Sequence, residues 1–161
     1  MHFHGKAIES LTCCRRQATL AGAVSCLLAS VNPSKLKAGE LEHALARALR
    51  VVEALEAPSA SVWRSTYIGI TQLCQRLEKE GEGRSLGSNA ADQLKALLFG
   101  PDPGPEALRL LRADAILALL KAAPAYATSL ERDLSAMMKE ERSIVVRDRL
   151  AAAHHLHDDE I

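Results

Sequence analysis

Apolar residues in this chain recur at steps of three and four, the spacing that lines one face of an α-helix. From about Gly5 to Val31 the residues Ile8, Leu11, Ala18, Ala21, Val24, Leu28 and Val31 share such a face, and Asn32-Pro33-Ser34 stops it. Ser34 is placed to cap a second helix whose seam reads Leu41, Leu45, Ala48, Val52 and Leu55. Pro58 ends it. A third helix, from Val62 to about Glu80, sets Val62, Thr66, Ile70, Leu73 and Leu77 on one side.

Two interruptions follow. The run "KEGEGRSLGSN" is rich in glycine and serine and predicts a flexible loop near 81–89. A short helix, "AADQLKALLFG", comes next, with Ser88 or Asn89 as cap and Gly100 placed as the residue just past its end. The second loop, near 100–105, is "GPDPGPE", in which three prolines and two glycines exclude helix. Pro105 suits the first turn of the helix after it, where Leu108, Leu111, Ala115 and Leu119 face inward and Ile116 and Leu120 widen the stripe. Pro124 closes that helix. The remainder reads as one helix or as two broken near Ser143. Leu130, Leu134, Met137 and Met138 form its first stripe, and Ile144, Val145 and Leu150 its second.

The pattern predicts an all-α fold: one domain over 1–161, an antiparallel helical bundle of six or seven helices with short connections. The alternative is a short stack of helical hairpins of the HEAT or armadillo kind. Those repeat at roughly 40 residues, and no self-similarity of that period stands out here, so the irregular bundle is preferred.

Composition supports the helical reading. Aromatic residues make up only 3%, while alanine and leucine, strong helix formers, dominate. Twenty basic and twenty acidic residues cancel, so no global field draws in nucleic acid or an anionic membrane. Cys13, Cys14, Cys26 and Cys74 show no CxxC spacing and read as reduced thiols of a cytoplasmic protein, bacterial in style. One feature points elsewhere. Two arginines precede an uncharged run from Gln17 to Ser34, the arrangement of an export or lipoprotein signal. Its apolar part is short and diluted by Gly22, Ser25 and Ser30, so an amphipathic helix is the preferred reading and export the alternative.

Candidate chemistry is sparse. Phosphate-binding loops, dinucleotide fingerprints, nucleophile elbows and HExxH pairs are all absent from the sequence. The C-terminal "VVRDRLAAAHHLHDDE" concentrates Arg147, Arg149, His154, His155, His157, Asp158 and Asp159. His154 shares a helix face with His157 and Asp158, as metal ligands would, but a site needs more ligands than these. The expectation is therefore a polar helix end with no metal and no cofactor. The stretch "RDRLAAAH" is similar to the Arg-x4–6-His motif of HEPN domains, all-helical ribonucleases that often need no metal. That resemblance implies Arg147 and Arg149 for phosphate charge and His154 for acid–base work, in a site usually assembled across a homodimer.

Trp63, Arg64 and Tyr67 stand apart, because tryptophan, tyrosine and arginine are the residue types enriched in interface hot spots and this chain has few aromatics. They are the candidate partner-binding residues, with a core role for Trp63 as the competing reading. The sequence as a whole predicts a protein–protein interaction module without chemistry of its own: an adaptor, an effector domain or an immunity-type inhibitor. Its partner is another protein, or a second copy, rather than a membrane or a nucleic acid. A HEPN-like ribonuclease is the alternative.

Overall fold

The computed structural model describes residues 59–79 and 88–158, with four isolated helical positions at His43, Ala46, Arg47 and Arg50. The helices expected over 5–31 and 34–57, the 81–87 loop, three of the four cysteines and the signal-like segment lie outside the described residues. Within them the chain is all-helical. It forms α1 (Ala60–Lys79), α2 (Ser88–Leu98), α3 (Glu106–Ala122), a short 3₁₀ turn (Pro124–Tyr126), α4 (Ala127–Glu140) and α5 (Ile144–Asp158).

Each boundary has a local cause. Helix α1 starts where the Ser59 carbonyl accepts the N–H groups of Val62 and Trp63 at 3.0 and 3.1 Å. Its two inner threonines satisfy their hydroxyls within the helix: Thr66 donates to the Val62 carbonyl at 2.8 Å and Thr71 to that of Tyr67 at 2.9 Å. Thr66 can therefore be fully buried beside Val62, Ile70 and Leu73.

Gly100 does not take the left-handed conformation expected of a residue just past a helix end. Among the described residues, positive φ occurs only at Gly104, at 91°. Glycine is needed at position 100 for closeness instead, since a Cβ there would lie 2.9 Å from the Ala96 carbonyl oxygen. Asp102 shapes the next turn by accepting the Gly104 N–H at 2.8 Å. Pro105 precedes the first turn of α3 rather than occupying it, with φ −59° and ψ 142°. Its carbonyl receives the N–H groups of Leu108 and Arg109.

Helix α3 is the centre of the described fold. It packs most extensively on α1 and next on α5, while α4 packs on α5 and α2 touches α3 more lightly. Its buried residues are Leu108, Arg112, Ala113, Ala115, Ile116, Ala118, Leu119 and Leu120. At 100° per residue these cover well over half of its circumference, which is what a helix with neighbours on two sides requires. Alanine at three of these positions lets neighbouring helices approach.

The chain breaks between α4 and α5, as one of the two sequence readings had it. Glu141 is extended, with φ −72° and ψ 127°. Ser143 then starts α5: its carbonyl accepts the Arg147 N–H at 2.9 Å, and its hydroxyl takes a long 3.4 Å bond from the Val146 N–H. The inward stripe of α5 differs from the expected Ile144, Val145 and Leu150. Ile144 and Val145 are 72% and 57% exposed, and the core is met by Val146, Leu150 and Ala153. The reason is register: once Ser143 fixes the first turn, steps of four and three inward from Val146 select Leu150 and Ala153 and turn the two preceding residues to solvent. Met137 and Met138, expected in the core, pack against its edge and are only partly buried.

Candidate functional site

The aromatic pair of α1 belongs to the interior. Trp63 and Tyr67, one turn apart, stack with ring centroids 5.6 Å apart and planes at 15°. Trp63 is 7% exposed and Tyr67 is fully buried, so of the three candidate partner-binding residues only Arg64 reaches the surface. The Tyr67 hydroxyl is buried without a hydrogen-bond partner. Burial pushes it above its ordinary titration range, against the pull of Arg112 and with the push of Asp102.

The C-terminal arginines and histidine separate onto two faces. Arg147 and His154, two turns apart on α5, line one shallow groove of about 490 Å³ with Ser135, Met138 and Ala151. His155 borders it, its ring edge-on to His154 at 6.4 Å. Arg149 points elsewhere, into a second groove beside Thr71 and Gln75 of α1. There it pairs with Asp114 of α3 at 2.9 Å. Arg147 in turn donates to the Glu141 carbonyl. Both arginines thus hold structural partners, and Arg149 does not join His154. Helix α5 runs on to Asp158, but the side chains of His157, Asp158 and Asp159 lie outside the described residues. No group of three or more metal-type ligands converges among the described residues.

A third site escaped the sequence reading. A polar cavity of about 540 Å³ lies between the 99–102 segment, the first turns of α3 and the α4–α5 corner. Two arginines of α3 form its floor. Arg109 donates from Nε to the Glu141 carboxylate at 3.0 and 3.2 Å and from its guanidinium to the Gly104 carbonyl. Glu141 also accepts the Ser143 N–H at 2.9 Å. Burial alone would raise the Glu141 carboxyl. The Ser143 N–H, the Arg109 hydrogen bond and charge, and the Arg142 N–H outweigh it and hold the carboxyl below its ordinary value. The same hydrogen bond to Glu141 holds Arg109 above its own.

Arg112, one turn further along α3, is 6% exposed and lines the same cavity. Among the described residues its guanidinium has no hydrogen-bond or ion-pair partner. Its position in the pattern, one step from Leu108 and Ile116, was the available signal: a charge set within an apolar stripe.

Two further observations complete the surface. Cys74 is buried and unbridged, and burial pushes its thiol up to about 12. No described helix is long and apolar enough to cross a membrane.

Comparison with known proteins fits the helical stack. No curated protein and no solved structure matches the chain. A family model does, "ECM29, C-terminal ARM-like repeats", over residues 5–156. The hairpin-stack alternative, set aside above for want of a visible repeat, is thus the architecture this match supports. With α1 to α4 inside the match, and all of α5 but its last two residues, the chain belongs to the family of ECM29 C-terminal ARM-like repeats.

Proposed function

We propose that the protein is a helical scaffold that binds another protein, an adaptor without chemistry of its own. The observation that carries this reading is the ARM-like stack itself. Helices laid side by side bury one set of faces and leave another free along the array, and that free surface is what such proteins offer to partners.

The exposed apolar pair of α5 supports it. Ile144 and Val145 are the large hydrophobic side chains most open to solvent among the described residues, and they stand at the head of the last described helix. Around them Arg142, Arg147 and Asp148 supply a polar rim. The chemistry of the α5 arginines is taken up by Glu141 and Asp114, which leaves the scaffold reading as the one the geometry favours.

The test is photo-cross-linking in cells from a benzophenone amino acid at Asp148, beside this pair. A discrete cross-linked product is expected from the otherwise native chain. It should disappear in I144D/V145D, which alters only exposed side chains and should melt like the parent. Equal cross-linking in both would show that this face is not the one that binds.

A further inference from the structure

We infer that the cavity floored by Arg109 and Arg112 receives a single glutamate carboxylate from a peptide segment of the partner protein. The inference rests on the scaffold reading and deepens it. It starts from Arg112. The Arg112 residue is 6% exposed, and among the described residues no hydrogen-bond or ion-pair partner matches the donors and charge of its guanidinium. The side chain borders an open cavity of about 540 Å³, within the range that holds a ligand. The Tyr67 hydroxyl, buried in the same region and also without a partner, lies in the field of Arg112. Two donors with unused capacity, the guanidinium of Arg112 and the buried Tyr67 hydroxyl, therefore sit near one cavity.

The remaining charges decide which anion fits. Arg109 is occupied by Glu141, and Asp133 by Lys95 at 3.2 Å. Asp102 accepts a backbone N–H, while Glu140 and Arg142 stand exposed on the rim. Counting Arg109, Arg112 and Arg142 against Asp102, Asp133, Glu140 and Glu141, the lining carries three positive and four negative groups. A doubly charged phosphate would meet this acidic surround at close range. A single carboxylate carries half that repulsion and matches the planar guanidinium with two parallel hydrogen bonds. Phe99, Ala136 and Met137 give the cavity an apolar side, which suits the methylene stem of glutamate rather than a free ion.

The experiment is a titration of the full chain, labelled with ¹⁵N-arginine, with the Nε–Hε signals followed by NMR. The first probe is an acetylated and amidated pentapeptide with one central glutamate; the others are the same peptide with glutamine and inorganic phosphate. A saturable shift of the Arg112 signal is expected with the glutamate peptide, about tenfold weaker with glutamine, as loss of a hydrogen bond to a charged group predicts. R112K keeps the charge but loses the paired donors, and should bind the glutamate peptide about tenfold more weakly. Because the decisive change is in the peptide, the result stands even where R112K fails to fold. Equal response to glutamate and glutamine, a response to phosphate alone, or no response to any probe overturns the inference. If the Asp148 cross-link persists while Arg112 stays silent, the cavity assignment falls and the scaffold reading stands. If both are absent, both fall.

Discussion

Arg109 and Glu141, 32 residues apart in sequence, meet through both carboxylate oxygens at 3.0 and 3.2 Å. The Glu141 side chain is 3% exposed and that of Arg109 19%. Around this pair the start of α3, the Gly104 carbonyl and the α4–α5 corner are joined, because Arg109 also reaches Gly104 and Arg147 caps the Glu141 carbonyl. Replacing Glu141 with alanine would strand a partly buried guanidinium and free the Ser143 N–H. The expected cost is about 3 kcal/mol, read as a lower midpoint in urea with an unchanged slope.

The same pair sets an acid limit. The Glu141 carboxyl in the folded chain titrates below its unfolded value of about 4.3. A depressed carboxyl contributes stability that is fully present above the unfolded value and is lost as pH falls through the folded one. Stability should thus decline below about pH 4.3. E141Q should be less stable at pH 7 and show a shallower decline over that interval. Parallel curves for the two proteins from pH 7 to pH 3 would show that another group governs the acid transition.

Two glycines of one loop should respond differently to alanine. At Gly100 a Cβ would press on the Ala96 carbonyl at 2.9 Å, a backbone atom that cannot swing away. At Gly104 the space is open, but φ is 91°. G104A should cost about 1 kcal/mol from backbone strain alone. G100A should cost about as much or more and shift α2, since relief requires moving backbone. Thermal melts give the cost, and amide chemical shifts at Ala96 and Leu97 report the displacement.

How far the sequence could be read is visible in single residues. Pro105 and Pro124 mark boundaries because proline lacks an N–H and fixes φ, both local properties. The break at Ser143 was legible only as one of two readings, since serine competes for the backbone at helix starts but is also tolerated within them. The inward face of α5 was not. Ile144 and Val145 are more apolar than Ala153, yet alanine is buried and they are exposed, because helix register rather than side-chain hydropathy selects the face. Of the cavity, only Arg112 left a trace, as a charge set within an apolar stripe. Arg109 and Glu141 are ordinary charges until the fold sets the α4–α5 corner over α3. Trp63 and Tyr67 were chosen for their residue types, but a scarce aromatic in a helical chain fills volume as readily as it binds.

The α5 register makes a clean contrast. I144D should leave stability within about 0.5 kcal/mol of the parent, as exposed substitutions do. V146D, two residues on, would place an unpaired carboxylate in the core and should abolish cooperative unfolding at neutral pH. Side-by-side melts decide it, and equal losses in the two variants would show that both positions face the core.

Cys74 offers a probe of opening. Its thiol is fully buried and titrates near 12, so little thiolate exists at pH 8 and alkylating reagents cannot reach it. Peptide mapping after brief iodoacetamide treatment should find Cys74 unmodified in the native protein and fully modified in denaturant. Its labelling rate with rising urea should follow the opening of α1 from α3.

Helix α3 touches α1 and α5 broadly, whereas those two make little contact with each other. Among the described residues, mechanical communication between the two outer helices therefore runs along a single strut. A partner gripping α5 is felt at Trp63 chiefly as a displacement of α3, and the alanines at 113, 115 and 118 decide how stiff that transmission is. Enlarging one of them would alter how load passes between the two sides without touching either surface.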